Sequence, residues 1–430
     1  QNNLAMENLL HYIWKYRLYT ATSLTTVDGL PLEIIDPGVQ NTDSGPDFFN
    51  AKIMIDGTLW AGSVEIHLKA SDWKAHNHHA DKAYDVVILH VVGESDCVVR
   101  RTNGEVIPQF RLVVDESLRR NMDWLLGRDV PVPCLYRLRE IEPLHRTMWL
   151  DALLSERLER KTDDICRWLD ICGGDWNEAF YIALCRNFGF GVNSDAFERL
   201  ARSLPFRFIR KQRASGTQVE AMFFGQAGLL EADEDDHYYR LLQREYKFLA
   251  HKFSLKPLDA TLFRSLRMRP GTTPHLKLAQ LAMLWVRYDT LFSALLEAKT
   301  PGEIKQFFRV SPSEYWKTHY RFGVVSPEKD KPLGEAALGI ILINTVVPMF
   351  FAYSKKRSMP EYAGRALRLL ETIPAEDNSI VSTFRRGGLV ARHAGDSQSL
   401  IQLKREYCEK KKCLFCRFGF QLLKKGNTKG

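Results

Sequence analysis

The sequence predicts an α+β chain in which a strand-rich N-terminal part precedes a long all-helical part. Five short stretches rich in β-branched and aromatic residues, separated by turn formers, lie before Asp115. Past Pro131-Val132-Pro133 the apolar residues recur instead at helical spacing. A length of 430 residues also exceeds one ordinary core. The expected divisions are a mixed module over 1–135, a helical domain over 136–400 and a basic, Cys-containing segment over 401–430.

Leu9, Leu10, Ile13, Trp14 and Leu18 predict an amphipathic opening helix over Met6 to Tyr19. Strands are expected over Leu32 to Ile35, Phe48 to Ile55, Thr58 to Leu68, Asp85 to Val92 and Val106 to Val114. Asp56-Gly57 joins the second and third, because both central residues of a type I′ hairpin turn need positive φ and this pair tolerates it. A polar, His-rich connection with a short helix is expected between His67 and Asp85. Pro143, suited to a first helical turn, opens a helix running to Leu169. Further helices are predicted over Asp175–Phe188, Ser194–Leu204, Thr217–Leu229, Glu234–Lys252, Pro274–Leu296 and Pro360–Glu371.

Ala336 to Phe351, the most apolar stretch, is interrupted by Asn344 and Pro348 and reads as a buried helix. No segment approaches the roughly 20 uninterrupted apolar residues of a membrane span. Gln1 to Leu10 lacks the pattern of a secretory signal, so a cytoplasmic protein with no membrane partner is expected. Eight cysteines in a chain of this size make no disulfide framework and read as reduced thiols.

The net charge of +8 is concentrated at the end: residues 401–430 hold nine Lys and Arg against Glu406 and Glu409. That local patch, with Lys410, Lys411 and Lys412 at its centre, suits phosphate or another anion; a solvated tail is the alternative. Arg267 and Arg269, in a loop entering a helix at Pro274, are a second phosphate-binding candidate. In the same terminal segment Cys408-x₄-Cys413-x₂-Cys416 has metal-binding spacing, fitting Zn²⁺ or an iron–sulfur cluster alike. No cysteine follows Cys416, so a fourth thiolate would have to come from upstream. Three ordinary thiols on an amphipathic helix are the alternative.

The chemistry-bearing constellation lies on the hairpin. With side chains alternating along a strand, Glu65, His67 and Lys69 share one face and Val64, Ile66 and Leu68 the other, while Asp47 on the neighbouring strand can reach the polar face. Two carboxylates converging from adjacent strands can hold Mg²⁺ or Mn²⁺ and leave positions for water and a phosphate oxygen. Carboxylates and amines laddered on a solvated sheet face are the structural alternative. His76 and His78, with His79 and Asp81 beside them, could line the same cleft or bind Zn²⁺. His90, between Leu89 and Val91, reads as a core histidine.

An opening helix, a strand, a hairpin carrying Pro46-Asp47 and then Glu65, and a further strand resemble the PD-(D/E)XK nuclease superfamily. The resemblance implies a restriction-endonuclease-like αβββαβ core, metal-binding acids at Asp47 and Glu65, and a nucleic-acid substrate. An amine is expected two residues after the second acid, but His67 stands there and Lys69 two further on. His67 or Lys69 then fills the role, or the site no longer cuts. Glu7 or Glu33 could supply the acid that the superfamily often carries on its first elements. Ser44-Gly-Pro-Asp-Phe, Val64-Glu-Ile-His, Ser71-Asp-Trp and His76-x-His also resemble an uncharacterised bacterial family known as a domain of unknown function, over the whole chain. Metal-dependent hydrolysis of nucleic-acid phosphodiesters is the leading expectation. A non-catalytic nucleic-acid or protein-interaction module and a His-cluster zinc hydrolase are its rivals.

Overall fold

In the computed structural model, residues 2–19, 23–41, 43–127 and 130–424 are described; Lys425 and Lys429 of the basic segment lie outside the described residues. Helix α1 (Asn2–Lys15) is followed by strands β1 (Leu32–Asp36), β2 (Val39–Gln40), β3 (Phe48–Ile55), β4 (Thr58–Lys69), β5 (Val87–Glu94) and β6 (Gln109–Arg111). The chain leaves α1 through Arg17, whose φ of +52° ends the helix before Tyr19, although Leu18 still packs on the core. The sheet order is β1-β3-β4-β5-β6, with β2 also on β3. β1, β3 and β4 are antiparallel, whereas β4, β5 and β6 run parallel. At the hairpin Asp56 and Gly57 take φ values of +47° and +73°, as the turn requires. The parallel crossover from β4 to β5 consists of the four-residue α2 (Asp72–Ala75) and 3₁₀ turns at His78–Ala80 and Lys82–Tyr84. β6 is shorter than the expected Val106–Val114, for Pro108 has no N–H to give a neighbouring strand.

The fold is α+β, and the chain divides into two compact units. The first comprises residues 1–149, 383–389 and 403–430. One face of its sheet buries Phe48, Ile53, Val64, Ile66, Leu89 and Val91 under Leu9, Leu10, Ile13 and Trp14 of α1. Helix α3 (Glu116–Leu126), which the strand pattern did not anticipate, and the terminal helix Arg417–Lys424 complete that layer; the Asn121 side chain donates to the Leu423 carbonyl at 3.3 Å. On the opposite face Ala70, Trp73, Val87, Val92, Val99 and Ile107 form a smaller apolar cluster beneath the crossover.

The second unit, residues 150–382 and 390–402, is mainly helical. The expected helix over Pro274–Leu296 is two, Pro274–Arg287 and Leu291–Glu297. Tyr288 turns extended between them and Asp289 is held by Arg210 at 2.7 Å. Glu335–Arg357 is one helical run whose most apolar window, with a mean hydropathy of 1.9, is long and apolar enough to cross a membrane by composition; 61% of that window is buried inside the protein. Its middle widens into a π turn at Leu342–Val346. Pro348 cannot donate to the Asn344 carbonyl four residues back, and the Asn187 side chain does so instead at 3.0 Å.

Candidate metal centre

The loop before β3 places Asp47. Asn41 ties it internally, its side-chain amide donating to the carbonyls of Ser44 and Pro46 at 3.2 and 3.1 Å while its backbone N–H donates to the Asp47 carbonyl at 2.7 Å. Asp47 and Glu65 then grip each other's strands. The Asp47 N–H donates to Glu65 Oε2 at 3.0 Å, and the Ile66 N–H donates to Asp47 Oδ2 at 2.9 Å. The two expected acids therefore converge from adjacent strands.

Histidines close around them. His78 Nε2 stands 3.2 Å and His67 Nε2 3.5 Å from Glu65 Oε1. His76 Nδ1 lies 3.2 Å from His67 Nε2, and one ligating nitrogen from each of His67, His76 and His78 lies within 4.8 Å of the other two. A backbone feature brings the last two inward together. Between them Asn77 takes a left-handed φ of +62°, a conformation that asparagine tolerates better than most residues, and reverses the chain. Tyr84 stacks on His78 at 3.8 Å, and Trp73 packs edge-on against it at 5.4 Å. His67, His78 and Glu65 are buried; His76 is exposed and marks the open side.

Two further histidines join the cluster. His90 is adjacent to Glu65 in the parallel β4–β5 register, and its Nε2 is 2.9 Å from His67 Nδ1. It fixes the ring whose other nitrogen faces Glu65 and His76, as a partner behind a metal-bound imidazole does. His11 of α1 reaches Asp47 Oδ2 at 3.2 Å. Glu7, one helical turn earlier, feels the charges of His11, Asp47 and His76. The strand register beside Glu65 is the sequence signal that points to His90, whereas the spacing of Glu7 and His11 says only that the two share a helix face.

The electrostatics follow from burial. Desolvation raises the pKa of Glu65 against the opposing His78 bond, and raises that of Glu7. Burial, followed by the neighbouring His90, His76 and His78, pushes His67 down to about 2, and burial takes His90 to about 3. His11 runs the other way: burial lowers its pKa, but the Asp47 hydrogen bond and charge outweigh that and raise it. The site thus holds His67 as a neutral imidazole, able to bind a cation, beside a histidine that favours its own proton.

Other expected residues lie elsewhere. Lys69 is exposed at the end of β4, 3.1 Å from Glu94 of its parallel neighbour, so the amine is not in the cluster. The side-chain alternation holds, but α2 begins at Asp72 and its cover stops short of Lys69. Glu33 is exposed on β1 opposite Met54, some 20 Å along β3 from Asp47 at the usual strand rise. His79 is exposed, and Asp81 caps the turn at Ala83. Arg267, at φ +60°, and Arg269 belong to the second unit. Lys410, Lys411 and Lys412 are exposed in the turn between Cys408 and Cys413, with Lys410 paired to Glu406.

A family model for DUF2851, proteins of unknown function, matches residues 7–379. The chain belongs to that family. Comparisons with curated proteins and with solved structures give no match. The matched part contains every member of the acid–histidine cluster and ends before Cys408, Cys413 and Cys416, short of the whole-chain extent that the sequence resemblance implies.

Proposed function

We propose that the first unit is a metal-dependent hydrolase of nucleic-acid phosphodiesters, with the metal held by Glu65, His67, His76 and His78 and with Asp47 as the second carboxylate. The observation that carries this reading is the meeting of three imidazole nitrogens within 4.8 Å, two of them 3.2 and 3.5 Å from one buried carboxylate. Such a mixed nitrogen and oxygen set suits Mn²⁺ or Zn²⁺ better than Mg²⁺, which prefers oxygen ligands throughout. This joins two alternatives that are separate in the sequence, the paired acids and the histidine cluster. When bound, the ion would polarise a phosphoryl oxygen and lower the pKa of a coordinated water.

The chain's own residues supply the rest. His90 orients His67, and Asp47 holds His11 so that its proton is retained beside the cleft. His11 can therefore provide the cation that Lys69, turned toward Glu94, does not. The phosphodiester class rests on the likeness of Pro46-Asp47 and Glu65, on their β-hairpin, to nuclease motifs. The displacement of Lys69 favours a second reading, a binding module that no longer cuts.

The test is cleavage of labelled single- and double-stranded DNA and RNA with Mn²⁺, Zn²⁺ or Mg²⁺. Wild type should cut, Asp47→Ala and Glu65→Ala should each lose about 10²-fold or more, and Lys69→Ala should cut normally. If folded wild type leaves every substrate intact, the binding module is the better reading.

A further inference from the structure

We propose that Cys134 joins Cys408, Cys413 and Cys416 as the four thiolates of a thiophilic metal centre, separate from the acid–histidine site. All four line one cavity in the first unit, together with Tyr407 and Gly419. Cys134 lies at the start of a 3₁₀ helix, Leu135–Glu140, far from the others in sequence. It supplies the upstream ligand that the terminal spacing requires.

The local backbone is built to aim these side chains. Cys413 opens a 3₁₀ turn in which the Cys416 N–H donates to the Cys413 carbonyl at 3.3 Å. Side chains at i and i+3 eclipse in that geometry, so both thiols project the same way. Cys408 closes the preceding π turn, and the Lys411 N–H donates back to its carbonyl at 3.2 Å. The turn bearing Cys413 is pressed onto the terminal helix: a Cβ on Gly419 would stand 2.0 Å from the Cys413 carbonyl oxygen. Only glycine admits that approach.

The donor set fits a soft cation and little else. Burial, with the neighbouring thiols adding to it, raises Cys134 and Cys408 well above the ordinary thiol range, and burial raises Cys413 to about 11. Without metal Cys134, Cys408 and Cys413 are neutral, inert thiols. Metal binding would release their protons to solvent and leave four thiolates around the cation. A single tetrahedral Zn²⁺ would draw the sulfurs to within about 3.8 Å of each other, given a Zn–S bond of about 2.3 Å. An iron–sulfur cluster would instead hold the same four thiolates on more than one iron, and the donor set fits either centre. The centre would tie the chain's end to the first unit.

The test is anaerobic purification of the full chain, with iron, zinc and acid-labile sulfide measured beside the visible spectrum. One thiolate centre per chain is expected, with iron and sulfide together marking a cluster and zinc without sulfide marking the single ion. To separate it from metal at the histidines, the measurement is repeated in a His67→Ala, His78→Ala background, which should keep it. Cys134→Ser and Cys413→Ser should lose the centre, and Cys97→Ser should retain it. Should the serine variants fail to fold, alkylation of wild type followed by peptide mass spectrometry decides. The four named cysteines should be shielded until a chelator is added. Wild type holding no thiolate-bound metal and showing no such shielding, or Cys134→Ser keeping the full centre, would overturn the proposal.

Discussion

Glu65 is the residue on which the cluster turns. It is 4% exposed, accepts the Asp47 N–H and lies within 3.5 Å of two imidazoles. A buried carboxylate without a cation is costly, and desolvation accordingly raises its pKa. Glu65→Gln keeps the shape and removes the charge, so Mn²⁺ and Zn²⁺ affinity should fall by roughly 10–100-fold or more, the range seen when even an outer partner of a metal ligand is lost. Lys69→Ala should leave affinity unchanged. Titration calorimetry on protein treated to remove metal reads both; equal losses in the two variants would place the amine in the site after all. The pairing of Asp47 with Glu65 was only half legible: the two-residue period places Glu65, but the register of the Asp56-Gly57 turn alone would set Asp47 opposite Ile66, and a bulge between Phe48 and Ala51 shifts it by one. The fate of Lys69 was not legible, because one strand's alternation says nothing of where its cover ends. Nor was His11, whose approach to Asp47 depends on how a helix packs across a sheet.

At the level of elements, the regular pieces were the readable ones. β3 and the helix Pro360–Glu371 have the bounds that pattern and punctuation give, and Asp56-Gly57 makes the expected turn. The short 3₁₀ turns that deliver His78 and Cys413 carry no periodic signal, since three residues cannot display one. Their geometry rests on single backbone positions, which makes them testable. Asn77→Gly should keep both stability and metal affinity, whereas Asn77→Ala should cost about 1 kcal/mol for the left-handed conformation and weaken metal binding by displacing His76 or His78. Urea midpoints with calorimetry would show it, and equal behaviour of the two variants would mean that the turn does not depend on Asn77. Gly419→Ala, meeting the Cys413 carbonyl, should destabilise the first unit by about 1–3 kcal/mol. The accompanying loss of thiolate-bound metal would link that turn to the cysteine centre.

At the scale of the whole molecule, composition sets the basic segment after residue 400 apart, yet residues 403–424 pack into the first unit. Leu414 and Leu423 bury themselves in the core that α1 covers. Burial of this kind is worth about 1.5–3 kcal/mol per large apolar side chain, and it was hidden because a contact between chain ends leaves no local pattern. The two-unit division also shapes the response to acid. His275, in the second unit, sits between Phe224 and Phe322, and burial, helped by Arg321, lowers its pKa to about 4. Unfolded, it would titrate near 6.5. Below that value the unfolded chain binds the extra proton, so the stability tied to the neutral ring is complete above about pH 7 and is lost as pH falls toward 4. His67 and His90 act in the same sense in the first unit, while the raised pKa values of Glu7, Glu65 and His11 oppose them, so a whole pH profile mixes signs. Comparison with His275→Phe isolates one term. Between pH 7 and pH 5 wild type should lose up to about 2 kcal/mol more than the variant, at roughly 1.4 kcal/mol per pH unit below 6.5. Hydrogen exchange resolved by peptide should confine that difference to residues 150–382 and 390–402. An equal change in the peptides of the first unit would show that the two units unfold together.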